Sequence, residues 1–133
     1  MPKIASLLQI VVFSRCAPSF GTPQPFPQSL RLTDAGDVTL VPVPGHTPGQ
    51  IGVLVDEGDQ TVFLAGDSSY TQDLMLRGKV DGVGADDEAE RLTHERIRAY
   101  AHPTVYLVAH DPETGARLAE RRLVHATTLE VAA

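Results

Sequence analysis

Three short apolar runs each end in a tight turn that carries a His or an Asp. They are LVPVPGHTPGQ, TVFLAGDSSYT and TVYLVAHDPETG, and they place His46, Asp67 and His110 just past predicted strands. This pattern constrains the fold more than any other feature of the chain. Rigid strands aim side chains from separate loops at one point, so the strands must share a sheet and end near one another. Two imidazoles and a carboxylate are ordinary ligands for zinc, and also for manganese or iron.

The strand pattern continues between these runs. SLRL and DVTLVPV flank TDAGD, a predicted hairpin with Gly36 at positive φ. IGVLVD and QTVFLAG flank EGD, a second hairpin turning at Gly58; both strands are apolar enough to predict burial on both faces. The stretch 70–85 holds a short apolar group and three glycines and has no clear period. ADDEAERLTHERIRAYAH then predicts a helix capped by Asp86 or Asp87, with Leu92, Ile97 and Tyr100 as its apolar stripe. TVYLVA is a further strand, and Asp111-Pro112 suits a helix start with Asp as N-cap. The tail ARLAERRLVHATTLEVAA predicts a last helix that fades after Val124. Strands, helix, strand, helix give an α/β (α+β) class.

At 133 residues the chain is long enough to bury one core. Its formal net charge of -6 and the absence of a Lys/Arg stripe argue against nucleic acid. No apolar run approaches membrane-spanning length. Ile4 to Phe13 is apolar, but the single Lys before it is a poor leader, so the expected location is cytoplasmic. Cys16 is the only cysteine, which excludes an intrachain disulfide and reads as a small apolar residue. Residues 1–29 form one unit, an apolar segment followed by an arm with Pro18, Pro23, Pro25 and Pro27; residues 30–133 form the regular remainder.

Taken alone, each site residue has a bland reading. His46 is then a His in a tight turn, Asp67 caps the Ser68 or Ser69 amide, and His110 precedes a helix. Three such placements at three strand ends favour a shared metal site. Tyr70 follows Asp67 by three residues; its phenol either donates to an oxyanion at the metal or packs on the loop. His94 and His102 read as surface or packing residues, His125 as part of a fraying end, and Glu88 and Glu90 as a solvated helix face.

GDVTLVPVPGHTPGQ, TVFLAGDSSYT and VYLVAHDPETGARL, in that order, resemble the metallo-β-lactamase superfamily, and within it the N-acyl-homoserine lactonase branch. The resemblance spans about residues 30–118. It implies half of an αββα sandwich, a mixed β-sheet with helices packed on one face. It implies His46 as a ligand of the first metal, Asp67 as the bridging carboxylate and catalytic residue, and His110 as a ligand of the second. Tyr70 matches the lactonase tyrosine that contacts the substrate. The implied cofactor is zinc, one ion or two, with manganese or iron as substitutes. The implied substrate is a small ester or lactone, opened by metal-bound hydroxide. The superfamily's remaining ligands come from an HxHxDH motif, and no HxH occurs in these 133 residues. Two expectations follow: a lactonase-like hydrolase with an incomplete metal site, or a non-catalytic half-domain that folds as a homodimer and binds metal weakly or not at all.

Overall fold

The computed structural model describes residues 25–124. Five strands form one sheet in chain order: β1 (Leu30–Arg31), β2 (Val38–Pro42), β3 (Ile51–Asp56), β4 (Thr61–Leu64) and β5 (Thr104–Leu107). The first four pair antiparallel, β1–β2 and β3–β4 through the two predicted hairpins and β2–β3 through the loop 43–50 that carries His46. Gly36 (φ 76°) and Gly58 (φ 99°) take the left-handed conformation their turns require. β5 pairs parallel with β4. A parallel neighbour needs a crossover, and this one carries α1 (Gln72–Leu76) and α2 (Asp87–Ala99); α3 (Thr114–Glu120) follows β5. This mixed sheet with helices matches the α+β expectation.

The main core lies on the face covered by α1 and α2. Leu54, Phe63 and Tyr106 stand in one cross-strand row and join Phe26, Val41, Met75, Ile97 and Tyr100 in one buried cluster. Phe63 meets Phe26 and Tyr106 edge-on at 5.7 and 5.9 Å, a favoured aromatic geometry. A Cβ on Gly52 would sit 2.5 Å from the Phe63 ring. Gly52 is therefore a packing glycine, and the ring covers its backbone.

The opposite face is also apolar but less covered. Leu40, Val53, Leu64 and Leu107 are register partners across four strands. Val62, Val105 and Leu107 form a second buried cluster with Val55 and Leu123 against it, yet Leu64 remains 44% exposed. The expectation of two-sided burial holds for β4 from Thr61 to Phe63, and β5 is buried throughout as well. It fails for β3, whose exposure alternates along the strand.

Three local expectations are corrected. Leu92 is exposed, and the buried face of α2 is Glu90, Thr93, His94 and Ile97, because polar groups there anchor neighbouring loops. Asp111 is not a helix N-cap: α3 starts at Thr114 after Glu113, and the Asp111 carboxylate is committed elsewhere. The tail does not continue as one helix, since α3 ends at Arg121 in the left-handed region at φ 53°. The expectations for Ile4 to Phe13, Cys16 and His125 lie outside the described residues.

Candidate metal centre

β2, β4 and β5 run in the same direction, because β2 and β4 are each antiparallel to β3 and β5 is parallel to β4. Their carboxyl ends therefore open on one edge of the sheet, and the loops bearing His46, Asp67 and His110 emerge there together.

The structure brings all three residues into contact. His110 Nε2 lies 3.1 Å from Asp67 Oδ1, and His46 Nε2 lies 3.9 Å from Asp67 Oδ2. The carboxylate thus turns a different oxygen to each imidazole. Because the two rings approach opposite oxygens, the donors do not converge on one point. Correspondingly, no group of three or more His, Cys, Asp or Glu residues among the described residues is arranged to hold a single ion. Tyr70 is 45% exposed and its ring stacks on His110 at 5.2 Å and 28°.

The chemistry of this donor set fits a cation. Asp67 Oδ1 is a buried atom without a hydrogen-bond partner. The 3.1 Å contact of Oδ1 with His110 is thus an approach of two facing groups, without the geometry of a hydrogen bond. Two imidazole nitrogens and a carboxylate facing one another unbonded are the donor types that zinc, manganese and iron accept. The bland reading of Asp67 as a turn cap does not hold: the Ser68 amide donates to the Ala65 carbonyl at 3.1 Å instead.

Each of the three loops is tied down by groups that sequence reasoning passed over. The His46 loop is closed by the Val43 amide on the Gln50 carbonyl at 2.9 Å. Thr93 Oγ1 of α2 donates to the Pro44 carbonyl at 2.6 Å. With its carboxamide turned so that oxygen faces these donors, Gln50 accepts from the Asp67 and Ser68 amides at 2.5 and 3.3 Å. His94 Nε2 donates to the Ser68 carbonyl at 2.7 Å. The Tyr106 hydroxyl bonds both Ser68 Oγ and Ser69 Oγ at 2.8 Å, and burial pushes its pKa up to about 12.

Asp111 joins the other two loops. Its carboxylate accepts from the Gln72 amide at 2.9 Å, from the Glu113 amide at 2.9 Å and from Arg117 Nη1 at 2.5 Å. Burial alone would raise this carboxyl. The two amides and the guanidinium together outweigh that effect and hold it below the usual carboxylate range.

Behind His46 lies a buried pair, Glu90 and His94, with no exposed side-chain surface. The solvated-face reading of Glu90 is thus overturned: α2 turns this residue inward under the His46 loop. Burial raises the Glu90 carboxyl and lowers the His94 imidazole. His102, by contrast, is exposed.

A family model described as the metallo-beta-lactamase superfamily matches residues 3–114, which takes in all three strand-end motifs. The chain belongs to the metallo-beta-lactamase superfamily. The match begins well before the span that carries the resemblance of the motifs, so it includes most of the apolar segment and proline-rich arm. Solved structures agree in fold with this superfamily member. One, an N-acyl homoserine lactone hydrolase with the product N-hexanoyl-L-homoserine at its catalytic metal center, has a TM-score of 0.57 at 24% identity. It is covered over 35% of its length, against 66% of this chain. A quorum-quenching N-acyl homoserine lactone hydrolase gives 0.55 at 25% identity, with 64% of this chain and 35% of the other covered. A B. thuringiensis AiiA mutant with N-decanoyl-L-homoserine at its active site gives 0.57 at 24%, covering 66% and 35%. The chain thus spans about a third of the length of these structures. No curated protein matches it.

Proposed function

We propose that this chain supplies one side of a two-metal hydrolytic centre acting on a lactone or related small ester. The observation that carries the reading is the Asp67 carboxylate, which presents separate oxygens to His46 and His110 at 3.9 and 3.1 Å. A carboxylate so placed is suited to lie between two cations, one beside each imidazole. His46 and Asp67 would hold one ion, His110 and Asp67 the other. Such cations activate water near neutral pH and polarise an ester carbonyl. The chain's own residues orient the reaction: Gln50, His94 and Asp111 fix the ligand loops. Tyr70, stacked on His110 at the open rim, offers its phenol to a substrate oxygen.

Two protein ligands per ion fall short of the three or four that a tight zinc site uses. The chain alone therefore binds metal weakly, and full activity needs further ligands. A specific observation favours self-association as well. The apolar row Leu40–Val53–Leu64 lies on the less covered sheet face, and Leu64 keeps 44% of its surface exposed. We propose that a second copy covers it.

Titration of the purified chain with zinc and manganese, with lactone hydrolysis followed in parallel, tests the metal reading. Weak uptake that falls further in His46→Ala and His110→Ala is the expected result. Uptake unchanged by either substitution would sink it.

A further inference from the structure

The mechanism above leaves Glu90 without a task. Its side chain has no exposed surface, and neither carboxyl oxygen makes a hydrogen bond of good geometry, although the Asp81 backbone amide lies close enough to lower its pKa in part. A carboxyl buried without a partner is costly whether ionised or neutral. His94, one turn along α2, does not engage it: its Nε2 is bonded to the Ser68 carbonyl at 2.7 Å and stands 3.9 Å from Glu90 Oε1.

Glu90 is packed instead against the His46 loop. A Cβ on Gly45 would lie 2.5 Å from Glu90 Cα, so this loop sits directly on the helix backbone. A Cβ on Gly84 would lie 3.4 Å from Glu90 Oε2 and 3.1 Å from His46 Cα, which puts the carboxyl and the His46 backbone around the same small space. Backbone bonds lace this seam shut: the Ala85 amide donates to the His46 carbonyl at 3.1 Å and the Asp86 amide to the Gly45 carbonyl at 3.0 Å. His46 Nδ1 is buried here with no partner, and so is His94 Nδ1; because His94 donates from Nε2 to Ser68, its neutral ring has no proton on Nδ1 to give. An imidazole that offers Nε2 as a lone pair must carry its proton on Nδ1, and that proton needs an acceptor.

We propose that Glu90 is a positioning residue for His46. Across one buried water it accepts the Nδ1 proton, and so holds the Nε2 lone pair toward Asp67. Either protonation state of the carboxyl leaves an oxygen free to accept. The inference rests on the reading of His46 as a ligand through Nε2, but its test needs no metal.

The test is a long-range proton–nitrogen correlation of the histidine rings in the metal-free, nitrogen-15-labelled chain, at a pH where the rings are neutral. The His46 signals are assigned with His46→Gln. The parent chain is expected to show the Nδ1–H tautomer at His46. Glu90→Gln, which keeps an acceptor oxygen, retains it. Glu90→Leu loses it, and its zinc affinity drops about 10–100-fold. The Nε2–H tautomer of His94 serves as a fold control, because it reports the Ser68 bond. An Nε2–H tautomer at His46 in the parent chain overturns the proposal. So does an unchanged Nδ1–H tautomer in a folded Glu90→Leu chain. Should Glu90→Leu fail to fold, the parent tautomer alone decides. Failure of the metal titration leaves this result standing, whereas a wrong tautomer with metal binding intact removes only the role of Glu90.

Discussion

His94 shows how a side chain far from any ligand role can set the pH range of the fold. Desolvation lowers its pKa, outweighing the favourable bond to the Ser68 carbonyl. The unfolded chain therefore binds the proton more readily than the folded one. The stability conferred by the neutral ring is full above its unfolded value of about 6.5 and is lost as pH falls toward the lower folded value. His94→Gln, which can still donate to Ser68, should flatten the fall in denaturant midpoint between neutral and mildly acidic pH. An identical fall in parent and variant would refute this. Gly45 (φ 145°) makes a second, steric point. Gly45→Ala sets a methyl 2.5 Å from Glu90 Cα. It should destabilise by about 1–3 kcal/mol in urea unfolding, and it should weaken zinc uptake through displacement of His46.

At the level of elements, the strands were legible and the supports were not. His46, Asp67 and His110 stood out because a polar residue after an apolar run, next to a glycine or alanine, breaks a two-residue period visibly. Gly36 and Gly58 marked their hairpins for a similar local reason. Glu90 and His94 were illegible because helical position alone does not say which face turns inward; α2 buries a polar face against loops distant in sequence. Gln50, Tyr106 and Asp111 act across 17 to 39 positions, which no local pattern records. Asp111 ties the loop after β5 to the start of α1, so its loss should be felt in both. Asp111→Ala should cost about 2–3 kcal/mol, since hydrogen bonds to a buried charged group are lost together. It should also loosen Tyr70 from His110, measurable as reduced protection of the 69–72 amides in hydrogen exchange. Unchanged protection there would mean that the loop holds itself.

For the whole molecule, the two sheet faces carry different burdens. One is sealed by Phe26, Met75, Ile97 and Tyr100; the other leaves Leu64 in solvent. Apolar surface of that kind marks an interaction face or an association hazard. Leu64→Lys should shift the sedimenting species toward monomer, with the circular dichroism spectrum unchanged. A parent chain that is monomeric at high concentration would count against self-association. In the solved lactone hydrolases, this fold unit is about a third of a longer chain.

The sheet direction shared by β2, β4 and β5 has one more consequence. Among the described residues, the three loops are held by Gln50, Thr93, His94, Tyr106 and Asp111, which all lie between residues 50 and 111. The arrangement of His46, Asp67 and His110 is therefore set by this stretch of chain. On the proposed reading, a polypeptide that supplied further ligands would meet a target already ordered, because the entropy of arranging His46, Asp67 and His110 is spent in folding.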